Sequence, residues 1–246
     1  MSPGSAEQCA RLIREARRIG ALTGAGISTN AGIPDFRGPK GLYVTRKYDP
    51  DKVFDIFHFL QDPAPFYEFA RDFLGLTDTL KPTTAHYFLA KLEEKGKLSG
   101  IVTQNIDALH HQAGSRVVYE MHGSFLTSYC LDCRRKYTVE ELASMLRNPG
   151  VPHCSCGGLI KPDIVFFGEN VKYLDDSSRL AESCDLFLVI GSSCVVYPAA
   201  MIPTLCRGKI VVINHGPVHL DANVTLQVSR DADEFLGEVD GLLNSL

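Results

Sequence analysis

The chain has 246 residues, 45% hydrophobic and 22% charged, with a formal net charge of −4 and a sequence pI of about 6.1. That length buries a substantial core, as one large domain or as a large and a small one. No basic run offers a phosphate-tracking stripe, which disfavours direct nucleic-acid binding, and no apolar stretch is long enough to cross a bilayer.

In residues 1–18 the arginines come with Glu7 and Glu15, and Ala10, Ile13, Ala16 and Ile19 share a helical spacing. This predicts an amphipathic helix over 6–18, not a secretory signal, and a cytoplasmic protein. Ile19 to Thr23 is a short apolar strand running into Gly24-Ala25-Gly26-Ile27-Ser28-Thr29. A strand, glycines and a Ser/Thr helix start let backbone N–H groups approach a pyrophosphate. Gly24 and Gly26 fit the dinucleotide fingerprint, but Thr29 stands where a third glycine is expected, and no acidic residue closes a second strand about 20 residues on. A tight turn accounts for the same glycines; a nucleotide here is not held in the dehydrogenase manner. Asp35, Phe36 and Arg37 follow in a loop punctuated by Pro34, Gly38 and Pro39. They suit a movable lid, or a rigid turn with an Asp–Arg pair.

Phe54, Phe57, Phe59, Phe66, Tyr67, Phe69 and Phe73, with Pro63 and Pro65 between them, predict short helices packed as an inserted module. A helix over 84–95 closes at Gly96. Next, a strand ending at Thr103 hands over to Gln104-Asn105-Ile106-Asp107, and a second apolar run from Val117 to Met121 ends in His122. Asn, Asp and His at the carboxyl ends of strands can hydrogen-bond a sugar, orient an amide and move a proton. The same residues fit a strand end with Asp107 as N-cap and His122 in the core.

Of eight cysteines, Cys9, Cys184, Cys194 and Cys206 stand alone, the last three in apolar surroundings. Cys130-x-x-Cys133 and Cys154-x-Cys156 read as a four-thiolate zinc site. Four thiolates leave no open coordination position, so this zinc is structural and holds a module lacking its own core. Arg134, Arg135 and Lys136 beside it form a solvated basic face. Residues 161–170 return the chain to the main domain as a strand ending in Gly-Glu-Asn. A helix over 173–183, a buried strand over 185–190 ending at Gly191-Ser192-Ser193, a helix starting at Pro198, strands over 209–213 and 224–228, and a last helix to Leu243 complete the pattern. Strands alternating with helices imply a doubly wound parallel α/β sheet. Gly24, Gln104, Gly191, Asn214 and Asp231 then reach the same edge.

In their order, Gly24-Ala25-Gly26-Ile27-Ser28, Gly32-Ile33-Pro34-Asp35-Phe36-Arg37, Thr103-Gln104-Asn105-Ile106-Asp107, His122-Gly123, the cysteine pairs, Val165-Phe166-Phe167-Gly168-Glu169 and Gly191-Ser192-Ser193 resemble the sirtuins, over nearly the whole chain. The organisation is similar to the bacterial and archaeal single-domain members of this family of NAD-dependent protein-lysine deacylases. The resemblance implies a Rossmann-like domain of residues 1–36, 84–125 and 160–246. A helical insertion (37–83) and a zinc-ribbon module (126–159) would form the smaller domain. NAD would be a co-substrate in the cleft between them. Ala25, Gly26, Thr29, Asp35, Phe36 and Arg37 would line the loop around it, and Gln104, Asn105, Ile106 and Asp107 the nicotinamide ribose. Gly191, Ser192, Ser193, Asn214, Asp231 and Ala232 would take the adenosine half. An acetylated-lysine peptide would add as a strand against Val165, Phe167, Gly168, Glu169 and Asn170 on one side and Val195 on the other.

The family's chemistry implies that Asp107 binds the nicotinamide carboxamide and that the acyl oxygen captures the ribose carbon. His122 would act as general base on a ribose hydroxyl, Asn105 would position the ribose and a water, and Phe36 would shield the site. The products would be nicotinamide, free lysine and O-acetyl-ADP-ribose. Succinyl-preferring members carry a Tyr-x-x-Arg pair. Here Tyr67 is present, Ala70 replaces the arginine, and Arg71 lies about 100° around the helix, so acetyl or another uncharged acyl group is expected. Two other readings stay open: mono-ADP-ribosyl transfer to protein, and an acyl-lysine-binding module without turnover. A monomer is expected, with neither nucleic acid nor membrane as partner.

Overall fold

Strands whose every residue is apolar must be covered on both faces, and the computed structural model places them so. It describes residues 4–33, 48–77 and 80–245. The strands are β1 (Ile19–Thr23), β2 (Leu98–Thr103), β3 (Val118–Glu120), β4 (Gly123–Cys130), β5 (Lys136–Thr138), β6 (Ile160–Ile164), β7 (Leu186–Ile190), β8 (Lys209–Ile213) and β9 (Leu226–Val228). Six form one sheet in the order β3-β2-β1-β7-β8-β9. All neighbours in it are parallel. Counted within this sheet the order is 3-2-1-4-5-6, the dinucleotide-binding arrangement, and its direction reverses between β1 and β7.

Helices Ser5–Glu15, Thr84–Glu94 and Ala232–Asn244 cover one face. Leu12, Ile13, Leu89, Ile101, Leu188, Val211 and Phe235 form the core there. Leu12 and Ile13 sit three and four positions after Cys9, the spacing that lays an apolar stripe along one helix face. Helix Leu174–Ser183 and the 3-10 segment Ala199–Leu205 cover the other face through Leu180 and Ile202, against Leu22, Val102, Val189 and Val212.

A second core belongs to the antiparallel sheet β5-β4-β6. The aromatic helices Ile56–Gln61 and Ala64–Thr77 pack onto it, with Phe59, Phe66, Phe69 and Phe73 against Phe125 and Phe166. Phe59 and Phe66 meet edge to face, 5.3 Å between centroids at 85°. Cys130 and Cys154 lie in this same core. The zinc module therefore shares a core with the helical insertion rather than lacking one.

Three expectations need correction. The glycine-rich segment after β1 does not open an α-helix; it makes two 3-10 turns, Ala25–Ile27 and Thr29–Ala31. The segment after Pro198 is also 3-10, preceded by a cis Tyr197–Pro198 bond and interrupted by Pro203, which has no N–H for an α-helical ladder. Residues 160–164 do not enter the large sheet; β6 pairs antiparallel with β4. Among the described residues no helix is long and apolar enough to cross a membrane.

Candidate active site

The reversal point is built from closely packed backbone. Gly24 N–H donates to the Ile190 carbonyl at 3.1 Å, and Gly26 N–H to that of Gly191 at 2.9 Å. A Cβ on Gly26 would stand 2.7 Å from the Gly191 Cα, and one on Gly191 (φ +63) 2.3 Å from the Ile27 nitrogen. Only glycine lets the loops after β1 and β7 approach this closely.

The loop after β2 is anchored from below. Thr23 Oγ1 donates to Thr103 Oγ1 at 2.9 Å, and Thr103 Oγ1 accepts the Asn105 N–H at 3.1 Å. His110 Nε2 supports Thr23 Oγ1 at 2.8 Å. Above this, Asn105 Nδ2 donates to the Gly24 carbonyl and to Ser28 Oγ, both at 3.2 Å. Because a carbonyl only accepts, the amide orientation is settled, and Asn105 Oδ1 remains as the acceptor. Ser28 Oγ in turn donates to Asp107 Oδ2 at 2.7 Å. Asp107 Oδ1 accepts the Leu109 N–H at 2.9 Å. Asp107 thus does supply a capping bond, although Ala108, at φ 59, is the residue at the N-cap of the Leu109–Gln112 turn. Burial raises the Asp107 pKa, and the bonds from Leu109 and Ser28 oppose the rise.

His122 follows β3 and is half-buried. Its Nδ1–H donates to the Gln104 carbonyl at 2.8 Å. That bond selects the tautomer and leaves Nε2 as the basic nitrogen. Burial lowers the imidazole pKa, with the Gln104 carbonyl opposing, so the ring is neutral at pH 7. Gly123 must follow: at φ +68, a Cβ there would fall 1.9 Å from the Asp163 carbonyl oxygen. Gln104 Nε2 reaches across the reversal point to Ser192 Oγ at 2.9 Å. Asn105, Asp107 and His122 are therefore brought into one polar cluster with Gln104 and Ser192.

Other site candidates are placed with qualifications. Ala25 and Gly26 are half-buried and Thr29 is exposed, its Oγ1 donating to the Gly26 carbonyl at 3.1 Å. Ile106 packs against the second core. Ser193 and Asn214 are half-buried at the ends of β7 and β8. Asp231 caps the last helix, accepting from Asp233 and Glu234 N–H, and also takes Asn30 Nδ2. Ala232 turns its methyl into the core, which leaves only its backbone for a ligand. Val195 is half-buried, and Phe167, Gly168 and Asn170 are exposed. Val165 N–H donates to the His122 carbonyl at 2.8 Å. The Glu169 side chain turns inward to Lys161 at 2.9 Å. Asp35, Phe36 and Arg37 lie outside the described residues. Sequence reasoning passed over Ser28 and Lys161 as functional groups; Ser28 stood inside a quoted motif, but its partner is 79 positions away.

The thiols of Cys130, Cys133, Cys154 and Cys156 lie within 4.8 Å of one another. Cys130 and Cys156 Sγ are 3.5 Å apart, Cys133 and Cys154 Sγ 3.6 Å. Sulfurs at about 2.3 Å from a tetrahedral zinc stand nearly this far apart, so the donor set fits a closed zinc site.

A family model described as "Sir2 family" matches residues 24–198. A Thermotoga maritima protein named "NAD-dependent protein deacetylase" is 46% identical over 234 residues, covering 93% of this chain and 94% of its own. A solved structure described as "Sir2-p53 peptide-NAD+" superposes with a TM-score of 0.87 at 43% identity, over 96% of this chain and 97% of that one. Another Sir2 structure, holding a deacetylated p53 peptide and 3'-O-acetyl ADP-ribose, gives a TM-score of 0.88 at 44% identity, with the same coverage.

Proposed function

The chain belongs to the Sir2 family, and from that premise we propose that it is an NAD-dependent protein-lysine deacetylase yielding nicotinamide, the free lysine and O-acetyl-ADP-ribose. The observation that carries the mechanism is the bonded set Asn105–Ser28–Asp107 beside a His122 whose tautomer leaves Nε2 basic.

The dinucleotide supplies a labile bond between nicotinamide and ribose, and the acyl oxygen of the substrate is the nucleophile, so no Ser or Cys nucleophile is required. The residues present suit it. Close backbone packing at Gly24, Gly26 and Gly191, with Ala25 and Thr29, accommodates the pyrophosphate. Neutral hydroxyl and amide groups of Ser192, Ser193 and Asn214 accommodate a nucleoside. Asp107 binds the nicotinamide carboxamide, held by Ser28 and Leu109. Asn105 Oδ1 accepts a ribose hydroxyl or a water. His122 Nε2 removes the proton of a ribose hydroxyl. The acetylated peptide pairs with the 165–170 segment, which exposes Phe167, Gly168 and Asn170. Zinc stays outside the chemistry and holds the ends of the second sheet.

Incubation with NAD and an acetyl-lysine peptide, followed by mass analysis, tests the reading. Deacetylated peptide and acetyl-ADP-ribose in equal amounts are expected. Nicotinamide release independent of acetylation, with ADP-ribose on the protein, would instead favour ADP-ribosyl transfer.

A further inference from the structure

Behind the proposed peptide edge lies a buried ammonium. Lys161, on β6, is 1% exposed. Lysine is almost never buried to that degree unless paired. Its Nζ donates to the Ile164 carbonyl at 2.7 Å and to Glu169 Oε2 at 2.9 Å. It also stands 4.3 Å from the centre of the Phe166 ring. Glu169 Oε2 accepts the Phe166 N–H at 2.8 Å, and Glu169 N–H donates to the Phe166 carbonyl at 3.0 Å. One cation therefore ties both ends of the 164–169 turn. Burial pushes the Lys161 pKa down, and Glu169 opposes the shift.

Removing an ion pair from water is costly, and apolar side chains of similar volume often serve a core equally well. The Lys161–Glu169 pair is poor value as a stabiliser. What it does supply is directionality: three bonds of defined geometry that an apolar pair cannot make. The backbone they fix runs from the His122 carbonyl, which accepts Val165 N–H, to the exposed Phe167, Gly168 and Asn170.

We propose that Lys161 is a positioning residue for the acyl-lysine peptide, holding through Glu169 the turn against which the peptide pairs. The proposal rests on reading 165–170 as the peptide edge. It predicts a loss confined to the peptide. The dinucleotide loops, after β1, β2 and β7, share no hydrogen bond with Lys161 among the described residues.

The test compares the parent enzyme with Lys161→Met and with Lys161→Met/Glu169→Gln. In the double variant no buried charge is left unpaired, and the Gln carbonyl still accepts Phe166 N–H. The double variant should melt within a few degrees of the parent and keep its NAD KM. Its KM for an acetyl-lysine peptide should rise about tenfold, within the loss that a misplacement of about 1 Å produces. Turnover at saturating peptide should change much less. An unchanged peptide KM in the folded double variant overturns the proposal, and so does a parallel rise in NAD KM, which marks a general structural role. Hydrogen exchange on the parent separates the two layers. Protection of 165–170 by the peptide, with an unchanged KM in the double variant, sinks the role of Lys161 alone. No protection in the parent sinks the peptide-edge reading and this proposal together.

Discussion

Ser28 Oγ donates to Asp107 Oδ2 at 2.7 Å while accepting from Asn105 Nδ2 at 3.2 Å. One hydroxyl thus couples two proposed catalytic side chains on the loop after β2 to the glycine loop after β1. Ser28→Ala should leave the backbone intact but strip a donor from a buried carboxylate and an acceptor from a buried amide. Asp107 keeps the Leu109 N–H and Asn105 Nδ2 keeps the Gly24 carbonyl, so each loses one of its bonds, at about 1–3 kcal/mol for the carboxylate and less for the amide. The expected result is a fall in kcat/KM of at least about tenfold, with a further rise in the Asp107 pKa. Steady-state kinetics of the folded variant checks it; unchanged kcat/KM would detach Ser28 from the site.

His122→Ala should fold normally and lose at least about a hundredfold in turnover, the usual worth of a positioned acid–base group. In the parent enzyme the lowered imidazole pKa means that the base is active across neutral pH and is lost only on acidification. The acid limb of the kcat/KM profile should therefore fall below the free-imidazole value of about 6.5. A limb above that value would contradict the burial argument.

An acetyl-lysine peptide should be hydrolysed faster than its succinyl counterpart. Tyr67 is fully buried, and its hydroxyl donates to the Ile160 carbonyl. Arg71 turns away to the carbonyls of Leu146, Tyr67, Asn148 and Gly150. Neither is placed to fork a carboxylate, and an unpaired buried carboxylate costs several kcal/mol. Competition between the two peptides at equal concentration decides the point.

Zinc removal should unfold the second sheet rather than block chemistry directly. A strong chelator is expected to lower the melting temperature and to abolish activity in step with unfolding. Metal analysis should find one zinc per chain. A metal-free protein with unchanged melting and full turnover would refute a structural ion.

Stability should decline between about pH 6.5 and pH 4. His86 and His110 are buried, their rings 4.7 Å apart. Burial lowers the His86 pKa to about 4 and that of His110 well below its ordinary value. In this window the unfolded chain binds protons that the native chain refuses, so stability is full above the unfolded pKa and is lost as pH falls. For His86 alone the loss is about 3 kcal/mol by linkage. Denaturant unfolding across this range, compared with His86→Gln, measures it; equal pH slopes in both proteins would remove His86 as the cause.

Much of this protein was legible locally. The apolar runs 19–23 and 209–213 are the strands β1 and β8 residue for residue, because a strand buried on both faces needs no partner to be recognised. Four cysteines at short spacing announced their cluster, and the polar residues ending β2 announced theirs. The lid candidates Asp35, Phe36 and Arg37 fall outside the described residues. Less legible was the sheet that residues 160–164 join, since Ile160-Lys161-Pro162-Asp163-Ile164 has apolar residues only at its two ends and no run that marks its partner strand.

What the sequence determined by itself was therefore the inventory: parallel strands, a thiolate cluster, and an amide, a carboxylate and an imidazole at strand ends. Hydrophobic period and chain spacing suffice for that. Only the tertiary structure decided that Ser28 closes the bond set between Asn105 and Asp107, that Glu169 faces Lys161, and that Arg71 faces carbonyls. Ser28 and Arg71 find their partners across long stretches of chain, and Glu169 finds its partner across a turn. All three depend on how the segments pack, which local propensity does not encode.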